Sequence, residues 1–207
     1  MSSAFEIDDI CALPLVRRLA VTLDQDPLAW TQGDILPRGW HVALFTPLTP
    51  QGALTEDGHV ALSDALPHFS GRLMLGGRRT AFPGDIRIGD ALRRRTEVVS
   101  VTPKQGRSGR LTLVRLEHCI FAGDSAAPAI IEEQDMVFLE GEAQPRQAEA
   151  AARQPDPDFS RTLVPDERLP FRYSAVTFNV HRIHFDAPYG RPAYDSVIQG
   201  ASGMAGL

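Results

Sequence analysis

Residues 91–121, ALRRRTEVVSVTPKQGRSGRLTLVRLEHCIF, decide the fold class. Thr112, Val114 and Leu116 alternate with Leu113, Arg115 and Glu117. That period of two marks a half-buried strand, because successive side chains of an extended chain point to opposite faces. The stretch Lys104-Gln105-Gly106-Arg107-Ser108-Gly109 is rich in turn formers and separates this run from residues 91–102, so the two are expected to pair as antiparallel strands. Outward from this pair, residues 73–82 and 129–139 read as two more strands, and Gly84, Gly89, Gly106, Gly109 and Gly123 punctuate the set. Toward the N-terminus, Ile10, Leu13, Val16, Leu19, Ala20 and Leu23 recur at the spacing of one helix face, predicting an amphipathic helix over residues 9–23. Residues 24–67 are broken by Pro27, Pro37, Pro47 and Pro50 and by Gly33, Gly39, Gly52 and Gly58, which leaves the apolar run at 40–45 as the sole short element in an ordered loop. A helix followed by a meander is an α+β domain, here expected over residues 1–140.

Composition excludes several classes. Lys plus Arg total 21 against 26 Asp plus Glu, a formal charge of −5, so no basic field exists to gather nucleic acid. Lys104 is the single lysine, an arginine preference that suits anion recognition but is better explained by codon usage. No apolar stretch approaches the roughly 20 residues that span a bilayer, and the start MSSAFEIDDI is acidic rather than signal-like, so a soluble, cytoplasmic chain is expected. Cys11 and Cys119 lie far apart without CxxC spacing and read as buried thiols. Residues 141–170 are rich in Ala, Gln, Pro and charge and are expected to form a linker, after which residues 171–178 are expected to open a second domain with a strand.

Chemistry concentrates just beyond. Asn179, His181, His184 and Asp186 bring oriented hydrogen bonding and proton exchange into one short segment. Histidine takes and gives a proton near neutrality, as adding water to a polarised double bond requires, and an amide beside it can hold the water. Composition alone leaves a hydrogen-bonded structural loop as the plainer alternative. A zinc site is disfavoured, since no third ligand stands at a recognised spacing from the two histidines. The triplet Arg93-Arg94-Arg95 could grip phosphates, but alternate strand residues face opposite sides, so a solvated strand face is favoured and no site is assigned there.

The run FRYSAVTFNVHRIHFDAPY at residues 171–189 resembles the signature of the MaoC-like hot-dog dehydratases, in the branch of the mesaconyl-C4-CoA (3-methylfumaryl-CoA) hydratases and type 2 hydroxyacyl-thioester dehydratases. Residues 13–20, LPLVRRLA, residues 72–78, RLMLGGR, residues 106–109, GRSG, and residues 132–135, EEQD, resemble that branch's FAS1-like dehydratase domain. The resemblance implies a hot-dog domain, an antiparallel sheet wrapped on a helix, over residues 1–140. It further implies a second, MaoC-like hot-dog beginning at 171–207. The wider family's catalytic loop reads Asp-x-Asn-Pro-x-His. Its histidine falls on His184 and its aspartate on Asn179, so the resemblance implies that His184 alone carries acid and base duty while Asn179 orients the water. His181 stands at the family's asparagine, and His181 with Arg182 is expected to contact substrate. Val197-Ile198-Gln199-Gly200 matches the family element whose glycine N–H meets the thioester carbonyl, which makes Gly200 the expected oxyanion donor.

Only seven residues follow Gly200, so the second sheet is expected to be missing, the chain being a fragment or completed by another polypeptide or a second copy in a homodimer. The resemblance therefore implies an acyl-CoA hydratase or dehydratase acting on a 2-enoyl thioester, with no metal or redox cofactor and no nucleic-acid or membrane partner. The alternative is a non-catalytic hot-dog subunit that binds acyl-CoA or completes a partner.

Overall fold

The computed structural model describes residues 4–54, 58, 72–106, 109–140, 166 and 168–181. Five strands form one antiparallel sheet in the order β1-β3-β4-β5-β2. They are β1 (Ala4–Ile10), β2 (Arg72–Ala81), β3 (Ala91–Gly106), β4 (Gly109–Ala122) and β5 (Ile130–Leu139), with helices α1 (Leu13–Thr22) and α2 (Arg168–Val176). The four expected strands are therefore present and the α+β class holds, but they are not a simple meander, since β2 crosses over to pair with β5 and β1 takes the place beside β3. The expected turn at 104–109 is shorter than its composition suggests: Lys104 and Gln105 stay in β3, paired with Leu111 and Arg110, and Gly106 pairs with Gly109.

Other expectations need correction. The helix begins at Leu13 rather than at residue 9, because Asp9 and Ile10 belong to β1, where they pair with Leu92 and Ala91. The missed strand did alternate, with Phe5, Ile7 and Asp9 more covered than Glu6, Asp8 and Ile10. Pro14, in the first turn of α1, pre-sets a helical φ and loses no internal hydrogen bond there, which fixes the start. Residues 171–176, expected as a strand, lie in α2, where Pro170 and Ser174 form the buried stripe at helical spacing. Tyr173 and Val176 pack on the main core while Phe171 stays 66% exposed. The aromatic and β-branched residues there favoured an extended reading, and packing against α1 overrode that propensity. Finally, Cys11 is buried but Cys119, on the outer face of β4, is only partly covered.

The inner face of the sheet carries Val114, Leu116, His118 and Ile120 from β4 and Ile130, Glu132, Gln134, Met136 and Phe138 from β5. Its apolar members fall into two clusters. The larger gathers Leu92, Ile120 and Ile130 under Val16, Leu19 and Ala20 of α1 and under the loop residues Leu36, Trp40, Leu44 and Phe45. The smaller gathers Val114, Leu116, Met136 and Phe138. Each such side chain taken out of water contributes about 1.5–3 kcal/mol, so a polar residue set between the clusters must satisfy its hydrogen bonds internally. The run at 40–45 is not the sole short element of its loop: 3₁₀ turns form at Pro27–Ala29, Trp40–Ala43 and Gln51–Ala53, and the middle one lowers His41 onto this inner face. Among the described residues no helix is long and apolar enough to cross a membrane.

Candidate active site

Of the expected site residues, Asn179 and His181 are described; Arg182, His184 and Gly200 lie outside the described residues. Asn179 is placed by the end of α2. Phe178 takes a left-handed φ of 51°, its N–H reaches the Ala175 carbonyl at 3.3 Å, and the Asn179 N–H reaches back to the Ser174 carbonyl at 2.8 Å. This is the reversal that closes a helix C-terminus, with phenylalanine where glycine is usual. A bulky left-handed residue costs energy, so the turn persists only because the surrounding backbone bonds hold it. Beyond it, the exposed Asn179 accepts the His181 N–H on Oδ1 at 3.1 Å, a local turn that fixes the amide's direction. The amide NH₂ stays available to orient water, but the oxygen is already engaged.

A residue that the sequence marks only as a loop breaker supports this loop from across the fold. Gly58 has φ +77°, and a Cβ added there would lie 2.1 Å from the Val180 carbonyl oxygen. Only glycine accepts both that conformation and that approach. Residues 179–181 are thus gripped between the end of α2 and Gly58.

Sequence reading also missed a buried polar row between the two apolar clusters. Thr96, His118, Glu132 and Thr80 stand opposite one another on β3, β4, β5 and β2. Thr96 is fully buried, His118 is 9% exposed and Glu132 is 7% exposed. The Gln134 amide N–H points at Met136 Sδ at 3.1 Å, which turns Oε1 toward His118 Nε2 at 3.2 Å. His118 therefore carries its proton on Nε2, and Nδ1 accepts the Thr96 hydroxyl at 2.8 Å. Glu132 takes the Thr80 hydroxyl at 3.2 Å, His41 Nε2 at 3.2 Å and Arg78 Nε at 3.3 Å. The signal was present in the strand periods, since His118 and Glu132 share parity with Ile120 and Ile130 and so had to face inward.

Electrostatics follow this packing. Burial, then the positive charge of Arg94, holds His118 below its ordinary value, so it is a neutral hydrogen-bonded ring at pH 7. Burial pushes the Glu132 carboxyl up, but the His41 hydrogen bond and the Arg78 charge outweigh it and leave the group below its ordinary value, ionised. The arginine triplet divides as strand period demands. Arg93 and Arg95 lie on the outer face and pair with Glu6 and Glu97, whereas Arg94 lies on the inner face with its guanidinium 5.1 Å from the centre of the Phe45 ring.

Residues 39–201 match the hydroxyacyl-thioester dehydratase type 2 family. The chain is 39% identical over 186 residues to the mesaconyl-C4-CoA hydratase of Chloroflexus aurantiacus, an alignment that takes in 89% of this chain and 65% of that protein. The chain thus spans just under two thirds of that relative's length. Among solved structures, a MaoC-like dehydratase from Phytophthora capsici superposes with a TM-score of 0.61 at 14% identity, covering 99% of this chain and 73% of the other. HtdX of Mycobacterium tuberculosis superposes at 0.59 with 16% identity, over 96% of this chain and 74% of the other. These structures share the hot-dog architecture with this chain, and the family match spans most of the sequence: the chain belongs to the type 2 hydroxyacyl-thioester dehydratase family.

Proposed function

We propose that this chain serves a hydro-lyase that adds water reversibly across the double bond of a 2-enoyl-CoA thioester, with a substrate like mesaconyl-C4-CoA. The observation that carries the proposal is the 39% identity to a hydratase of that substrate over 89% of this chain. Mesaconyl-C4-CoA is the monothioester of an unsaturated diacid, so it presents a free carboxylate at the end remote from CoA. In the proposed mechanism His184 delivers and removes the proton at the α-carbon and the attacking water, and Asn179 holds that water through its amide. His181 and Arg182 contact the substrate, and the Gly200 N–H meets negative charge as it builds on the thioester oxygen. The carbonyl delocalises the α-carbanion, so no metal or redox group is needed for the step. Residues 1–140 then form the first hot-dog unit, 141–170 a linker and 171–207 the start of the second.

One observation favours a second reading. Asn179 stands where the family has an ionisable carboxylate, and its Oδ1 is already occupied by the His181 N–H. A subunit that binds acyl-CoA without turnover fits that arrangement as well. The deciding assay offers the purified chain mesaconyl-C4-CoA and crotonyl-CoA and follows the enoyl-thioester absorbance. Loss of absorbance at an enzymatic rate of about 1–1,000 per second supports the hydratase; saturable binding with constant absorbance assigns the chain to the second reading.

A further inference from the structure

Among the described residues, Arg94 is an inner-face arginine with neither a salt bridge nor a hydrogen bond, and its guanidinium lies over the Phe45 ring. Its Nε is buried without a hydrogen-bond partner. No carboxylate of the described residues lies within ion-pair distance of its guanidinium. The two nearest acidic charges are spoken for. Glu132 spends its oxygens on Arg78, His41 and Thr80, and Asp9 accepts the backbone N–H groups of Ile10 and Phe45 at 2.7 and 2.5 Å. Both hold Arg94 charged from a distance and satisfy none of its donors. Burial accordingly pulls the guanidinium below its ordinary value, the direction of a cation short of close partners. Of the five N–H donors in the planar fork, the Nε–H is buried and unmet, and a buried unmet donor is costly.

The guanidinium lies against an aromatic ring whose backbone is held in place. Phe45 holds a left-handed φ of 55°, an unfavourable conformation for an aromatic residue, and the Asp9 carboxylate pins its N–H. That strain lays the ring beneath the guanidinium and fixes the direction of the fork. Arg94 itself is only partly covered, so the fork can be reached. Its cross-strand neighbour is Ile120, a residue of the main core. A positive fork backed by an aromatic ring and flanked by apolar core matches a planar, singly charged carboxylate at the end of a short acyl chain. A phosphate dianion fits less well, because the nearby carboxylates Glu132 and Asp9 repel two negative charges more than one.

We propose that Arg94, seated on Phe45, binds the free carboxylate of an acyl-CoA whose acyl group is a dicarboxylic monothioester. The assignment rests on the acyl-thioester part of the proposed function and adds the residue that selects a charged acyl end over a neutral one. Binding tests it without turnover. Succinyl-CoA and butyryl-CoA have four-carbon acyl groups and share CoA, so the ratio of their dissociation constants isolates the carboxylate.

The wild-type chain is expected to prefer succinyl-CoA by about tenfold to a hundredfold, the range of a charge-assisted bidentate contact. Arg94→Gln should bring the ratio close to one and Arg94→Lys should restore part of it. Arg93→Gln, on the outer face, should leave the ratio unchanged. Equal affinity of the wild type for the two thioesters, or a preference that survives in Arg94→Gln, overturns the proposal. So does a loss in Arg94→Gln shared equally by both ligands, which places the residue at CoA phosphates or in folding. Circular dichroism of each variant verifies the fold, and if Arg94→Gln does not fold, Arg94→Lys carries the test through the same ratio. Crotonyl-CoA hydration without carboxylate preference would keep the hydratase and remove the subsite; carboxylate preference without hydration would do the reverse.

Discussion

The Asn179–His181 turn and the Thr96–His118–Glu132–Thr80 row are both polar and both near the core, but opposite means hold them. The turn is local: its geometry comes from backbone bonds to Ser174 and Ala175 and from one amide oxygen meeting a neighbour's N–H, and Asn179 faces solvent. The row is assembled from four strands, and each of its members is fixed by register against residues far away in sequence. A polar group in the turn can exchange its partner for water at little cost. One in the row cannot, because no water is available to replace a lost bond. The contrast implies that substitutions in the loop region should be read in rates and those in the row in stability.

The sharpest test of that division is His184→Ala. If the loop carries the chemistry, turnover of the enoyl thioester should fall about 100- to 10,000-fold while substrate binding and unfolding midpoint change little. Activity within tenfold of wild type would take His184 out of the mechanism. A companion, Asn179→Asp, restores the family carboxylate and should raise turnover if Asn179 sits where water is activated.

Glu132→Ala probes the other side. It removes the acceptor shared by His41, Thr80 and Arg78, and removal of one partner of a buried charged pair costs about 3–5 kcal/mol, seen as a lowered urea midpoint. Glu132→Gln, which keeps the shape and some hydrogen bonds, should cost less. A midpoint unchanged in Glu132→Ala would mean that the row is not a structural unit.

Gly58→Ala crosses between the regions, since it lies outside the loop yet presses on it. A methyl group 2.1 Å from the Val180 carbonyl forces residues 179–181 to move. A displacement of about 1 Å near reacting groups can cost on the order of 100-fold in rate, while the left-handed strain itself costs only about 1–2 kcal/mol of stability. Steady-state kinetics beside thermal unfolding separates the two, and full activity would show that the loop does not position the chemistry.

The smallest effect is a pH slope of stability. His118 titrates below 6.5 when folded and near 6.5 when unfolded, so between those values the unfolded chain binds more protons and stability falls as pH drops. Glu132, held below 4.5 in the fold, adds stability that is full above 4.5 and is lost as pH falls through its folded value. Urea midpoints taken from about pH 8 down to pH 4 should decline throughout the acid half, and His118→Asn should flatten the upper part of that decline.

How much of this was legible before folding differs element by element. The period of two in residues 111–121 and the turn formers ahead of it specify an antiparallel pair locally, because pleat and turn chemistry act over neighbouring residues. The spacing of Val16, Leu19 and Ala20 specifies α1 for the same reason, and the long family-like run at 171–189 marks where chemistry lies without needing a contact map. What the sequence alone left open is whatever depends on a distant neighbour. Residues 171–176 have strand-like side chains, but a helix there seals Tyr173 and Val176 against α1 and the core, and burial outweighs propensities worth less than about 1 kcal/mol per residue. Strand alternation could split Arg93, Arg94 and Arg95 between two faces, but only the tertiary structure decided that the outer two meet Glu6 and Glu97 while the inner one rests on Phe45 with its Nε–H unmet. Periodicity states which way a side chain points; what it meets there is set by register and by loops arriving from elsewhere in the chain, and those are decided by the folded whole.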